Sequence, residues 1–177
     1  TGKPHFIGEF GSNQTVGATR QKDIDLYERG VLMTRIALSL MNAGAAGVSY
    51  WSLLDQYYAF SDSYGSMQQL GMWRFAKQEY ESEPYYNNIK YDFELRPQYW
   101  AYSLLTRHIG RAEIFPLATG NEFIAASAFR GERGGWVYVV ANGSEQDFKA
   151  TIENGAIQRS KFSRYAYTKE NLPAGDS

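Results

Sequence analysis

The sequence predicts an α/β unit over residues 1–112 followed by an antiparallel β module over residues 113–177. Three observations predict it. An apolar strand, a long amphipathic helix and a second apolar strand follow one another over residues 4–51. That order is a βαβ unit, whose crossover makes its two strands parallel. A second helical pattern then ends near Gly110, and from Arg111 onward the apolar period drops to two.

Pro4-His5-Phe6-Ile7-Gly8-Glu9-Phe10-Gly11 is apolar at nearly every position, the pattern of a strand covered on both faces, and Gly11-Ser12-Asn13 closes it. From about Arg20 to Asn42, residues Ile24, Tyr27, Val31, Leu38 and Met41 recur at helical spacing, and Gly44 supplies a left-handed stop. Ala46 to Trp51 is the second strand. Residues 52–96 carry no long periodic element and are crowded with rings, among them Tyr57, Tyr58, Phe60, Trp73 and Phe75. A connection of that length points to a functional loop. Pro97 suits the first turn of a helix running through Trp100, Leu104, Leu105 and Ile109. Residues 123–129, 136–142, 147–152 and 164–168 then alternate as short strands.

Composition excludes several classes. Eighteen Lys and Arg against nineteen Asp and Glu leave a net charge of -1, without the cationic excess that a phosphate-backbone binder needs. No apolar run approaches the roughly 20 residues of a membrane span. The absence of cysteine excludes disulfides, thiolate metal sites and a thiol nucleophile. No phosphate loop, zinc-protease motif or nucleophile elbow is present, so neither metal nor cofactor is called for. Aromatic residues make up 16%, led by 14 Tyr, which suits sugars, bases or protein partners.

Glu9 is the residue whose placement asks for a reason. A carboxylate ending an otherwise apolar strand is costly unless it is paired or put to use. Gly8 permits close backbone approach and Gly11 a sharp exit. The plain alternative is a Glu that caps or salt-bridges a neighbouring loop. Strand parity puts His5 on the side of Glu9 as a hydrogen-bonded core histidine, and His108, late in its helix, complements the dipole. Glu28, Glu79, Glu81, Glu83 and Glu94 fall on a helix or in polar loop sequence, as solvated charges do.

Lys3 to Gly11 resembles the seventh strand of the clan A glycoside hydrolases, retaining glycosidases built on a (β/α)8 or TIM barrel. In that clan a Glu at the carboxyl end of this strand is the nucleophile, and Glu9 falls on its position. Gly47 to Asp55 is similar to the clan's eighth strand, whose Trp, here Trp51, floors the sugar subsite beside the cleaved bond. Gly71-Met72-Trp73-Arg74 and Arg96 to Tyr102 are similar to the following loop and eighth helix, and the alternating tail resembles the small β-sandwich often appended to such barrels.

The resemblance implies the last βα units of a TIM barrel at residues 1–112 and a small antiparallel β-sandwich at residues 113–177. It also implies retaining hydrolysis of O-glycosidic bonds in a β-linked oligo- or polysaccharide, with Glu9 as nucleophile. Trp51 is then a stacking platform, as against a core side chain. Asp55 and Tyr58 are candidates to hydrogen-bond sugar hydroxyls, as against forming turns. Trp73 is a candidate outer subsite, and Asn13 a polar contact four residues beyond Glu9. The clan's acid/base follows an Asn ending strand four, which this chain does not contain. A whole barrel takes about 250 residues. The expected partners are therefore a saccharide and the missing N-terminal barrel portion, as another chain or a preceding segment, with no nucleic acid and no membrane. The chain is expected to be inactive alone. Two other readings are a non-catalytic carbohydrate-binding protein and a protein-interaction module using the Tyr-rich loop.

Overall fold

The computed structural model describes residues 2–12, 15–16, 20–61, 64–76, 91–153 and 161–171. The first strand, β1 (Phe6–Phe10), is followed by two short strands, β2 (Thr15–Val16) and β3 (Arg20–Gln21), paired antiparallel. Helix α1 (Tyr27–Asn42) begins several residues later than the apolar spacing alone suggests. Asp23 takes a positive φ of 57°, and the Leu26 amide closes a turn onto the Asp23 carbonyl at 3.0 Å. That conformation cannot continue into a right-handed helix. Gly44, at φ 100°, ends α1 as its position suggests.

After α1 the chain enters β4 (Gly47–Tyr50), which pairs parallel with β1: Phe6 with Gly47, Ile7 with Val48, and Phe10 with Tyr50. The ring-rich stretch is not a structureless loop. Strands β5 (Gln56–Ser61) and β6 (Tyr64–Gln68) form one antiparallel hairpin, and β7 (Trp73–Ala76) pairs antiparallel with β8 (Tyr91–Leu95). Tyr, Phe and Trp favour the pleated surface, so their density there supports strands. Helix α2 (Pro97–His108) leads into a single sheet of β9 (Ala112–Pro116), β10 (Ile124–Gly131) and β11 (Trp136–Asn142), in the order β11-β10-β9.

This arrangement overturns the barrel resemblance and the fold class it implied. Among the described residues there are two helices and five small sheets, and β1–β4 is the one parallel strand pair, with a single parallel bridge between Leu54 and Trp73. In a barrel the helices form an outer ring on one closed parallel sheet. Here α1 packs on the parallel ribbon and α2, and also on the antiparallel sheet, where Asn42 donates to the Ala126 carbonyl (2.9 Å) and accepts from the Ser127 hydroxyl (2.6 Å). One apolar cluster runs from Phe10 and Tyr50 through Met33 and Leu38 to Phe129 and Ala141. Such packing does not fit the last βα units of a TIM barrel. The protein is a small α/β fold.

The tail also departs from expectation. β9 was not foreseen, and residues 147–152 and 164–168 carry no strand. The latter segment docks on α1 instead. The Tyr167 ring stacks on Tyr27 at 4.7 Å, and its hydroxyl donates to the Tyr27 carbonyl at 2.9 Å. Gly30 makes the space: a Cβ there would meet that hydroxyl at 2.5 Å.

The buried phenols carry a testable consequence. Burial holds Tyr50, Tyr102 and Tyr167 above the ordinary phenol value of 10.0, and does so for Tyr27 with help from Glu170 and Glu28. A phenol raised in the fold binds its proton more tightly there than in the unfolded chain. Its stabilising contribution is complete below pH about 10 and is lost as pH rises toward the folded value. Denaturation midpoints should therefore fall above pH about 10, and Tyr167→Phe should flatten part of that fall.

Candidate functional site

The parallel ribbon has one face on the core and one face open. Ile7, Phe10, Val48 and Tyr50 pack inward, where the Phe10 and Tyr50 rings meet edge to face at 5.7 Å. Tyr102 of α2 donates from its hydroxyl to the Val48 carbonyl at 3.0 Å. Strict alternation from Ile7 would send Glu9 to this core side. It does not go there, because the register slips between Ile7 and Phe10, so that Gly8 and Glu9 together oppose Ser49. Such a bulge re-aims a side chain. Phe10 takes the core position and Glu9 is exposed. The two-sided burial read from the sequence is thereby corrected: Phe6 is 64% exposed and lies over Gly47, where a Cβ would meet its ring at 2.8 Å. His5 is exposed too, not a core histidine.

Trp51 follows directly on β4, and its amide donates to the Phe10 carbonyl at 2.9 Å. It is therefore anchored beside the residue that succeeds Glu9. Its side chain is 42% exposed on a backbone held from behind. The Ser52 hydroxyl donates to the Leu54 carbonyl (2.6 Å), Met72 N to the Ser52 carbonyl (3.0 Å), and Trp73 N to the Leu53 carbonyl (2.8 Å). An indole left in water on so fixed a frame is a ready stacking surface.

Behind that frame lies a buried charge cluster. Asp55, 2% exposed, receives Arg96 in a fork: Nη1 to Oδ1 at 2.6 Å and Nη2 to Oδ2 at 2.8 Å. The amides of Leu70 (3.0 Å), Gly71 (2.8 Å) and Phe75 (3.2 Å) also donate to its carboxylate. Arg96 further donates from Nε to Asp25 at 2.7 Å and from Nη1 to the Gly71 carbonyl at 2.8 Å. Burial alone would lower the Arg96 pKa, but the bonds and charges of Asp55 and Asp25 outweigh it and hold the guanidinium above its ordinary value. Gly71 is indispensable to this packing, since a Cβ would sit 2.3 Å from the Asp55 amide nitrogen.

The sequence-derived candidates thus separate. Glu9 and Trp51 are both exposed, at the carboxyl ends of the paired strands β1 and β4. Asp55 braces the following turn, buried and with both carboxylate oxygens engaged. Trp73 is half-buried against the core and meets Tyr99 edge to face at 6.2 Å. The backbone of Tyr58 pairs with Ser66 in the β5–β6 hairpin, while its side chain, like Asn13, lies outside the described residues. Glu28 pairs with Lys169 at 3.5 Å and Glu94 pairs with Arg74; Glu79, Glu81 and Glu83 lie outside the described residues.

Sequence reading missed Arg96 and Arg29. Arg96 is the residue before α2, where the helix dipole disfavours a cation, and that misfit was a signal that it has acidic partners. Arg29, buried on α1, donates to the Gln21 side chain and faces the Tyr50 hydroxyl. Burial pulls its pKa down, partly offset by Tyr50 and Asp23. Among the described residues no three His, Asp or Glu side chains cluster as a metal ion would require, and no helix is long and apolar enough to cross a membrane. No protein-family model, no curated protein and no solved structure matches the chain.

Proposed function

We propose that the open side of the β1–β4 ribbon binds a β-linked oligo- or polysaccharide and that Glu9 is the nucleophile of its retaining hydrolysis. The observation that supports this reading is that Glu9 and Trp51 are both exposed at the carboxyl ends of the parallel pair β1–β4, with a register slip between Ile7 and Phe10. The indole face stacks on the polarised C–H groups of a pyranose. The Glu9 carboxylate attacks the anomeric carbon, the glycosidic C–O bond breaks, and a glycosyl ester forms on Glu9. Water then hydrolyses the ester, releasing the sugar and restoring the carboxylate.

Protonating the leaving oxygen takes a second carboxyl group about 5–5.5 Å from the first. The ion-paired acids Asp25, Asp55, Glu28, Glu94 and Glu113 are engaged with Arg96, Lys169, Arg74 and Arg130. The acid/base is taken to come from a partner segment or chain, as the sequence reading expects. By itself the 177-residue chain should turn over no unactivated glycoside, and measurable turnover of one would contradict this division. The ion pairing of these five acids favours a second reading, sugar binding without cleavage.

Both readings need Trp51. Trp51→Ala should weaken oligosaccharide binding by about tenfold or more, in line with the roughly 1–3 kcal/mol found for stacking on an aromatic side chain, while leaving the thermal midpoint nearly unchanged. Unchanged affinity by calorimetric titration would count against the site itself.

A further inference from the structure

The chain's charges nearly balance, 18 cationic against 19 acidic side chains, but they do not balance everywhere. A cavity of about 510 Å³ opens where the carboxyl end of α2 meets the turn between β10 and β11. Arg107, His108, Arg111 and Arg133 line it, against one acid, Glu132. Arg111 and Arg133 enter no ion pair with a described residue. The His108 ring lies on Tyr165 at 4.4 Å, and its Nε2 is buried without a hydrogen-bond partner.

The last carbonyls of α2 account for Arg107 and His108. They do not account for Arg111 and Arg133, which reach the cavity from the start of β9 and from the β10–β11 turn. The turn carrying Arg133 is fixed by Gly131 N donating to the Gly135 carbonyl (2.9 Å) and Gly134 N to the Gly131 carbonyl (2.8 Å). Like charges converging on one space repel each other unless an anion or solvent lies between them.

We infer that this cavity binds a small organic oxyanion, a molecule of about monosaccharide size bearing a carboxylate or a phosphate. Arg111 and Arg133 hold the charged group. Guanidinium groups suit both oxyanions because their paired N–H groups match two oxygens at once. The volume falls within the roughly 300–1,000 Å³ of small-molecule pockets and exceeds what a bare inorganic ion fills. The site lies at the opposite end of α2 from Arg96 and Asp55, so it stands or falls independently of the sugar site.

Calorimetric titration of the full chain carrying Trp51→Ala, which removes the proposed sugar platform, with glucuronate, glucose phosphate, inorganic phosphate and neutral glucose tests it. At least one organic anion should bind at millimolar concentration or tighter, and which one does so separates the carboxylate source from the phosphate source. Arg111→Ala and Arg133→Ala should each weaken that binding by about tenfold without lowering the thermal midpoint, since both side chains are exposed. Three results would overturn the inference: no organic anion binding, glucose binding as well as the anions, or affinity unchanged in the double variant.

Discussion

Asp55→Ala is expected to cost about 3–5 kcal/mol of stability, the range for removing one partner of a buried ion pair. The loss comes mainly from what remains. Arg96 stays 2% exposed with only Asp25 to balance it, and the amides of Leu70, Gly71 and Phe75 lose their shared acceptor. Against a typical total of roughly 5–15 kcal/mol, that removes about a fifth of the stability or more. Chemical denaturation should show it as a lower midpoint. Replacing both partners together, Asp55→Leu with Arg96→Met, should recover part of the loss, since no charge is then left buried alone. A midpoint change below about 1 kcal/mol for Asp55→Ala would show that the cluster does not brace the turn behind Trp51.

The second large effect belongs to Glu9. Under the proposed function, with the partner acid supplied, Glu9→Gln should lower turnover by at least about a thousandfold, because the amide cannot form the glycosyl ester. Sugar affinity should change by less than about tenfold, since Trp51 and the ribbon face are untouched. The stability cost should be small, because Glu9 is exposed and leaves no buried partner behind. Equal loss of turnover and binding would make Glu9 a binding residue only. Unchanged turnover would remove it from the chemistry.

The parallel pair and its crossover helix were legible because apolar periodicity and the Gly44 stop are local signals. So was α2, from Pro97 to its end before Gly110. The barrel was not a sound extension of them: short motifs around Glu9 and Trp51 do not report which sheet the remaining strands join. The Gly8–Glu9 bulge was invisible because register depends on the facing strand, and neither it nor the exposure of His5 could be read from strand parity. The role of Asp55 was hidden for a similar reason. Its partner Arg96 is 41 positions away, and only the fold brings them together. The same holds for the cavity at the end of α2, whose arginines are scattered from Arg107 to Arg133.

Incubating the chain with dinitrophenyl fluoroglycosides of gluco, galacto and manno configuration tests the role of Glu9 most directly. Their leaving group departs without protonation, so the ester can form without the partner acid, and the fluorine slows its hydrolysis. Mass spectrometry should find one fluorosugar added to the peptide containing Glu9, and none in Glu9→Gln. A chain that binds these sugars yet gains no adduct, or gains it on another carboxylate, would contradict the assignment of the nucleophile.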